Sequence, residues 1–263
     1  MDNYAIIKEL DQGAFSRVFL VTKDDNYYAL KKIYKTIDNT SYMAQINNEI
    51  TILTNLKNIN NNIINIIEWF EDDEFVYVVF DYVPGGNLYQ KILNKSEIEI
   101  ILYQLVNVIG FIHNNGIIHG DIKPENILLY NEHNNNDNDN EHNNNINIVL
   151  IDFGLSKYEN DPNNITKGTL KYIAPEFFKT GTRTKETDLW AIGMTYFYLL
   201  TGKYPFISDN PKFIKRLKHV SINYTSYNLT KKERKILKIL LNKNPKKRQL
   251  SYVKKILNDK DIR

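Results

Sequence analysis

The chain has 263 residues, 42% of them hydrophobic and 25% charged, a composition typical of a globular domain with a sizeable core. Its net charge of +3 is too small to indicate a nucleic-acid partner, and the lack of cysteine excludes disulfides and thiolate metal sites. Positive charge gathers over 231–248, which a solvated helix face explains more simply than an acidic partner. No signal peptide is found, and the longest near-apolar stretch, 189–200, is about half a membrane span. We therefore expect a soluble monomer without a membrane partner, located in the cytoplasm or the nucleus.

The first eighty or so residues are predicted to form strands and one helix. The apolar or alternating segments that predict strands lie at 4–10, 18–21, 27–33, 63–68 and 75–82. Between the third and fourth of these, apolar residues recur at helical spacing from Ile46 to Leu56, which predicts an amphipathic helix.

The rest of the chain is predicted to be mainly helical. Pro84, Gly85 and Gly86 interrupt the chain, and long helical patterns follow at 97–114, 187–201, 211–218, 231–241 and 252–257. A strand-rich part followed by a helix-rich part favours an α+β fold with two lobes and a hinge. We therefore divide one domain, residues 1–263, into an N-lobe over 1–80, a hinge over 81–87 and a C-lobe over 88–263.

An asparagine-rich tract interrupts the C-lobe at 131–147, where ten of the seventeen residues are Asn. Such a segment buries too little apolar area to offset the entropy lost on ordering. We expect a disordered surface insert without a catalytic role.

Two early motifs are weak when each is taken alone. The segment LDQGAFSRV between the first two strand patterns carries Gly13, and a glycine-bearing hairpin allows backbone N–H groups to approach phosphates. Lys31 follows Ala29 in an apolar strand, and its ammonium needs anionic partners, for which Glu49 and nucleotide phosphates are candidates. Taken alone, these two stretches are better explained by an ordinary turn and a surface lysine.

The middle of the chain carries a stronger signal. Asp121, Lys123 and Asn126 lie within one short loop, and Asp152 follows an apolar strand pattern. Asn126 and Asp152 offer two oxygen ligands of the kind that Mg²⁺ prefers. Asp121 offers a carboxylate to take up a hydroxyl proton, and Lys123 offers a cation to steady a moving phosphoryl group.

Taken in order, these motifs resemble the signature set of eukaryotic protein kinases. The set comprises a glycine-rich loop at 10–18, a strand lysine at Lys31, a helix glutamate at Glu49, a catalytic loop at 119–126, D-F-G at 152–154 and A-P-E at 174–176. The resemblance continues through a D-x-W-x-x-G segment around Trp190 and to Arg248, the implied partner of Glu176. It covers nearly the whole chain and implies the bilobal kinase fold, with a β-rich N-lobe and a helical C-lobe.

The resemblance implies a role for each matched residue. Asp121 orients the acceptor hydroxyl and takes its proton, Lys123 accompanies the phosphoryl group, and Thr169 bonds both of them. Asn126 and Asp152 hold Mg²⁺.

The resemblance also implies an ATP site between the lobes, in which Lys31, paired with Glu49, holds the α- and β-phosphates. The implied ATP-binding residues are Leu10, Asp11, Gln12, Gly13, Ala14, Phe15, Ser16, Arg17, Val18, Ala29, Lys31, Glu49, Phe80, Asp81, Val83 and Leu128. Backbone groups of Asp81 and Val83 are expected to bond adenine, and Phe80 to close the pocket behind it.

Lys123 and the segment 168–172 resemble the Ser/Thr type, which implies protein substrates phosphorylated on serine or threonine. Three stretches, at 13–16, 152–156 and 199–202, are similar to calcium/calmodulin-dependent kinases. We expect no calmodulin-binding tail in the short segment after Arg248.

The chain departs from the family's pattern at several positions. Asp11 and Ser16 stand at two of the loop's glycine positions, and Gly120 replaces the arginine of H-R-D. Because that arginine receives an activation-loop phosphate in the family, and Ile165 stands at the usual phosphosite with Thr166 next to it, we expect activity without activation-loop phosphorylation. In arginine-directed relatives, acidic residues bind substrate arginines upstream of the acceptor. Asn87 and Tyr198 stand at two of these positions, and only Glu125 is retained. We expect a weak or altered preference for upstream arginine.

A pseudokinase and a small-molecule kinase are the two alternatives to an active protein kinase. A pseudokinase that serves as a scaffold is favoured by Asp11, Ser16 and Gly120, but every residue that inactive relatives usually lose is present. A small-molecule kinase of similar lobe architecture is disfavoured by the A-P-E segment and the helix around Trp190, which build a peptide-docking surface.

Overall fold

The computed structural model describes residues 4–35, 40–131, 146–161, 168–206, 213–219 and 221–259. The N-lobe is one antiparallel sheet with a helix against it, and its strands follow the spatial order β1-β2-β3-β5-β4. These elements are β1 (Ala5–Gln12), β2 (Ser16–Lys23), β3 (Asn26–Tyr34), α1 (Thr40–Asn55), β4 (Ile66–Glu71) and β5 (Phe75–Asp81).

The two faces of the N-lobe sheet pack into two separate apolar clusters. Because side chains alternate along a strand, Leu30 joins a small cluster on one face while Ala29 and Ile33 pack into the main core on the other. Lys31 shares the parity of Ala29 and Ile33, so β3 presents its ammonium on the face toward α1.

The C-lobe consists of helices and short strand pairs. Its elements are α2 (Lys95–Asn114), β6 (Ile117–Ile118), β7 (Ile127–Asn131), β8 (Ile146–Leu150), β9 (Lys157–Tyr158), α3 (Phe177–Thr180), α4 (Lys185–Thr201), α5 (Phe213–His219), α6 (Lys231–Leu240) and α7 (Leu250–Asn258). Helix α4 is buried continuously from Thr187 to Phe197 and lies against α2 and α6. It begins at a capping box between Thr184 and Thr187 and ends at Gly202, whose φ of 65° suits glycine.

Helix α2 is the second core helix of the C-lobe. Asn94 and Glu97 form a capping box at its start, with reciprocal bonds of 3.0 and 2.7 Å. It is long and apolar enough to cross a membrane by length and composition, but more than half of the apolar window is buried within the fold. Its packing against α4, α7 and β8 accounts for that apolarity.

The hinge packs against β7 of the C-lobe. A Cβ atom on Gly85 would lie 2.1 Å from the Leu129 carbonyl oxygen, so only glycine allows the hinge to lie this close to β7. The Leu129 N–H donates to the Gly86 carbonyl at 2.9 Å, and Leu88 is fully buried just beyond. The Pro-Gly-Gly segment therefore interrupts the regular elements, as expected, and also packs tightly against β7.

The expected α+β bilobal fold is confirmed, with corrections at element boundaries. Asp81, assigned to the hinge, is the last residue of β5. The expected insert, 131–147, is too wide, since Asn131 ends β7 and pairs with Ile146 at the start of β8. Residues 132–145 lie outside the described part of the chain. Arg248, counted within the late basic group, is buried instead of solvated.

Candidate active site

The N-lobe contributes an ion pair to the cleft. The Lys31 ammonium donates to both oxygens of Glu49, at 2.8 and 2.9 Å, and Glu49 is buried on α1. A doubly bonded carboxylate holds the flexible lysine chain in one geometry. Burial opposes the charged ammonium, but Glu49 and Asp152 outweigh it and hold the pKa of Lys31 above its ordinary value.

Asp152 brings the C-lobe to the same place. Its carboxylate lies 3.9 Å from the Lys31 ammonium, and nearly half of its side chain is exposed. Its φ of 61° is in the left-handed region, which costs a non-glycine residue about 1–3 kcal/mol and is typical of functional sites. Burial opposes ionisation, but the positive charge of Lys31 outweighs it and lowers the pKa of Asp152. Asp152 is thus an anionic ligand facing the cleft.

The catalytic-loop residues form one hydrogen-bonded cluster around Asp121. Lys123 donates to Asp121 Oδ2 at 2.6 Å, and the Asn126 amide donates to the same oxygen at 3.0 Å. The Thr169 hydroxyl accepts from Lys123 at 3.0 Å and donates to Asp121 Oδ1 at 3.3 Å. Both carboxylate oxygens therefore accept bonds, which fixes the orientation of the ionised group.

A second buried carboxylate supports this loop from below. Asp188 on α4 accepts the backbone N–H groups of His119 and Gly120, each at 2.9 Å, and bonds His113 Nε2 at 2.8 Å. Burial opposes its charge, but the bond from His113 lowers the pKa of Asp188. Asp188 thus attaches the backbone just before Asp121 to the central helix.

Further contacts join the D-F-G segment to both lobes. The His119 ring packs edge-on against Phe153 with centroids 4.8 Å apart, and both side chains are fully buried. The Ser156 hydroxyl donates to the His119 carbonyl at 2.9 Å, while Asn48 of α1 donates to the Ser156 carbonyl at 2.7 Å. The position of α1 is therefore tied to the catalytic loop through this segment.

The predicted adenine and phosphate residues belong to both lobes and to the hinge between them. They occupy β1 (Leu10, Asp11, Gln12), the turn after it (Gly13, Ala14, Phe15), β2 (Ser16, Arg17, Val18), β3 (Ala29, Lys31), α1 (Glu49), β5 (Phe80, Asp81), the hinge (Val83) and β7 (Leu128). Ala29 pairs with Phe80 across β3 and β5, and Val18 pairs with Lys31 across β2 and β3. The sheet register thus brings the small residue, the lysine and the aromatic residue together.

The hairpin tip between β1 and β2 is closed by a bond from the Gly13 N–H to the Ser16 carbonyl at 2.8 Å. Asp11 is exposed, and its carboxylate accepts the Gln12 N–H at 2.8 Å. Phe15 packs against Tyr42 of α1, with ring centroids 5.3 Å apart. This contact, which the sequence reading missed, connects the hairpin tip to the helix that carries Glu49.

The donor set fits magnesium bound together with a nucleotide. Asp152 supplies a carboxylate, and Asn126 keeps its amide oxygen as a ligand atom because its amide nitrogen donates to Asp121. Among the described residues, no group of three or more His, Cys, Asp or Glu side chains could hold a metal. Magnesium is often bound by only one or two protein oxygens, with substrate phosphates and water completing its shell.

Several residues that support the catalytic loop are not predicted from the sequence. Asp188 belongs to the D-x-W-x-x-G motif, whereas no motif includes its partner His113. Their partners lie far away in sequence; the bond between Gly120 and Asp188, for example, spans 68 positions. Only the typical motif around Trp190 gave any signal for this region.

This fold and site define a protein kinase domain, and the comparison with known families agrees. The protein kinase domain family matches residues 4–260, and the chain belongs to that family. The expected bilobal kinase architecture is thereby confirmed.

Among curated proteins, the chain is similar to calcium/calmodulin-dependent protein kinase type 1 of Caenorhabditis elegans, with 35% identity over 80% of this chain and 59% of that protein. It is 29% identical to Aurora kinase C of Mus musculus over 86% of this chain and 80% of the relative. It is 30% identical to a serine/threonine-protein kinase of Arabidopsis thaliana over 94% of this chain and 51% of the relative. The chain thus spans about three fifths of the nematode relative. The expected similarity to calcium/calmodulin-dependent kinases is confirmed.

Proposed function

We propose that this protein is a magnesium-dependent Ser/Thr protein kinase that transfers the γ-phosphoryl group of ATP to serine or threonine hydroxyls of protein substrates. One arrangement carries the proposal. Lys31 pairs with Glu49 and lies 3.9 Å from Asp152, and both carboxylate oxygens of Asp121 accept hydrogen bonds from the catalytic cluster. A scaffold without turnover would not need every one of these groups.

The phosphate-binding step depends on Lys31. Its ammonium is held by Glu49, so it can bind the α- and β-phosphates without first losing the entropy of a free lysine chain. Asn126 and Asp152 would hold magnesium. When bound, the metal ion would neutralise the charge that develops on the phosphoryl oxygens during transfer.

The acceptor hydroxyl is oriented by Asp121. Its carboxylate is fixed by three donors, and it takes the hydroxyl proton as the oxygen bonds to the γ-phosphorus and the bond from that phosphorus to the β–γ bridging oxygen breaks, with ADP as the leaving group. Lys123 lies between Asp121 and Thr169 and offers its positive charge to the phosphoryl oxygens during transfer. Positioning and charge neutralisation therefore supply most of the catalysis.

The test is transfer from Mg-ATP to a degenerate Ser/Thr peptide mixture, with Lys31→Ala and Asp152→Ala run beside the parent. We expect transfer by the parent and a loss of at least about a hundredfold in each variant, since Lys31→Ala removes a charged contact to the phosphates and Asp152→Ala removes a carboxylate that would hold magnesium. Nucleotide binding without transfer by the parent would favour a pseudokinase scaffold, and phosphorylation of a small molecule alone would contradict the protein substrate.

Substrate reading is expected to differ from that of arginine-directed relatives. Where the family carries acids, Tyr198 stacks between Tyr89 and Tyr204, with ring centroids 5.8 and 5.0 Å apart. Asn87 accepts the Tyr89 backbone N–H at 3.1 Å, so its amide is used locally. We expect an arrayed peptide library to show weak selection for arginine upstream of the acceptor. A strong requirement for arginine three residues before the acceptor would contradict this.

We further propose a cytoplasmic monomer, with the nucleus as the alternative location. The small net charge supports the lack of a nucleic-acid partner. The burial of α2 and α4 supports the lack of a membrane partner, since both apolar helices are already covered by the fold.

A further inference from the structure

Arg183 lies where three parts of the C-lobe meet: the catalytic loop at 119–126, the segment from D-F-G to A-P-E (152–176, called the activation segment) and the start of α4. It directly precedes Thr184, the N-cap residue of α4, and only 6% of it is exposed. A buried guanidinium is costly unless it is paired and closely surrounded, so its position indicates a specific role.

Two glycines leave the space that this guanidinium fills. A Cβ atom on Gly120 would lie 2.4 Å from Arg183 Nη1, and a Cβ atom on Gly168 would lie 2.5 Å from Arg183 Nη2. Real Cβ atoms do not approach nitrogen so closely, so neither position accepts a side chain while Arg183 is in place. Gly120 also has a φ of 82°, which a side chain would strain.

The two glycines precede residues of the catalytic cluster. Gly120 is followed by Asp121 and Gly168 by Thr169, and the side chains of Asp121 and Thr169 are bonded to each other at 3.3 Å. The guanidinium therefore lies against the backbone immediately behind both members of this bond. Displacement of either backbone segment would separate the two side chains.

The charges around Arg183 suit a permanent cation. Burial lowers the pKa of Arg183, while Asp188 and Asp121 oppose that effect, and guanidinium stays protonated in proteins. The cavity that Arg183 lines with Asp121, Thr169 and Asp188 has a volume of about 30 Å³. That space suits about one or two water molecules.

We propose that Arg183 is a positioning residue that fastens the activation segment to the catalytic loop and holds Asp121 and Thr169 together without a phosphate. This inference rests on the proposed kinase activity of the same site. It assigns to one side chain, just before the N-cap of α4, the cation that the catalytic loop lacks at Gly120.

The first test compares Arg183→Gln and Arg183→Lys with Lys185→Gln as the matched control, in protein shown by mass spectrometry to be unphosphorylated. Lys185 lies two residues further along the chain, at the surface, in an ion pair with Glu159 at 2.6 Å. We expect Arg183→Gln to lower kcat by about tenfold or more, with KM for ATP changed less than about twofold, because the nucleotide pocket is formed elsewhere. Arg183→Lys should recover part of kcat, and Lys185→Gln should match the parent.

The second test is a double-mutant cycle between Gly168→Ala and Arg183→Ala. The backbone strain of alanine at position 168 is common to both backgrounds and cancels, so the coupling reports the contact with the guanidinium. We expect the double variant to lose less kcat than the product of the two single losses. Strictly multiplicative losses would overturn the proposal.

A third readout is independent of turnover. We expect amide hydrogen exchange over 118–122 and 168–173 to rise in Arg183→Gln and in Arg183→Lys to a smaller extent, while exchange in α6 stays unchanged. Absence of transfer by the parent would refute the proposed function, and the exchange comparison would then still decide the positioning role. Parent-like exchange and kcat in Arg183→Gln, or an unphosphorylated parent that gains activity only on phosphorylation, would refute the role of Arg183.

Discussion

At the scale of single residues, the site depends on carboxylates whose oxygens are all committed to named donors. Asp121 accepts from Lys123, Asn126 and Thr169, and Asp188 accepts from His113 and two backbone N–H groups. An unpaired carboxylate in such surroundings would cost several kcal/mol, roughly, and would bind a proton instead. The bonding partners therefore hold both groups in a fixed orientation.

Thr169→Val tests the hydroxyl that links Lys123 and Asp121. Valine keeps the shape of the side chain but removes both bonds, each of which involves a charged partner. Bonds to charged groups contribute about 1.5–3 kcal/mol, so we expect kcat to fall by about ten- to a hundredfold with KM for ATP little changed. Thr169→Ser retains the hydroxyl and should recover most of the rate. Steady-state kinetics with a fixed peptide decide this, and an unchanged kcat in Thr169→Val would contradict it.

Stability is expected to fall in mild acid because of His119. Burial lowers the pKa of His119 below its ordinary value of about 6.5, in spite of Asp188, Asp121 and Asp152 nearby. The unfolded chain then binds a proton that the folded protein excludes, so the free energy of unfolding decreases as pH falls below about 6.5. The lowered pKa of Asp188 acts in the same direction at more acidic pH, since its stabilisation is lost as pH falls through its folded pKa.

We therefore expect the melting temperature to fall between pH 7.5 and pH 5.5, and His119→Phe to reduce that slope. Replacement of the exposed His219 by glutamine serves as the control and should leave the slope unchanged. A slope in His119→Phe equal to that of the parent would assign the acid sensitivity to other groups.

At the scale of secondary structure, α4 organises the C-lobe. Its N-terminal end holds the catalytic loop through Asp188, and its middle carries the fully buried Trp190. Arg248 lies over the Trp190 ring at 4.9 Å and bonds Glu176 through both of its terminal nitrogens, at 2.5 and 2.8 Å. The implied pairing of Glu176 with Arg248 is therefore present, and it connects the A-P-E segment to the same helix.

Gly193→Ala tests the packing of α4. A Cβ atom there would lie 2.7 Å from Leu241 Cδ2 and 2.8 Å from Leu240 Cβ, both of which are buried. Overpacking costs about 1–3 kcal/mol, which outweighs the gain in helix propensity of about 1 kcal/mol, so we expect a net loss of stability. Gly110→Ala in α2 is the matched control, because its nearest neighbour is the end of the Lys254 chain at 3.0 Å. Urea denaturation should show Gly110→Ala to be the more stable variant; the reverse order would contradict the packing argument.

At the scale of the whole molecule, the cleft is formed where the two lobes meet. Lys31 on β3 and Asp152 in the C-lobe form the charged contact across it, and Asn48 on α1 bonds the Ser156 carbonyl. The hinge is tied to β7 by the bond from Leu129 to Gly86. The relative position of the lobes therefore decides whether the phosphate-binding and proton-accepting groups face each other.

Deletion of residues 134–144 tests the asparagine-rich tract. The deleted residues lie outside the described part of the chain, and the strands on either side of them, β7 and β8, are paired through Asn131 and Ile146. Because a shorter connection can join the same two strands, we expect kcat and KM for ATP to stay within about twofold of the parent. A large loss of rate, with the melting temperature unchanged, would show that the tract takes part in function.

The sequence by itself determined the kind of chemistry and the class of fold. Lys31, Asp121, Asn126 and Asp152 lie in short motifs with fixed spacing, and the strand and helix periods around them are local properties of the chain. Element boundaries were less accurate, as at the start of β8, because the isoleucines on either side of Asn147 sit next to a polar tract. Local pattern does not show where pairing with a neighbouring strand begins.

Only the tertiary structure decided how these groups are held. Arg183 meets Gly120 and Gly168 because α4, the catalytic loop and the activation segment converge at one point in the fold. Nothing in the residues next to Arg183 shows that it is buried, since a lone arginine before a helix is ordinarily a surface residue. Contacts between segments far apart in sequence depend on how whole elements pack, and packing is a property of the assembled core, not of any short stretch of chain.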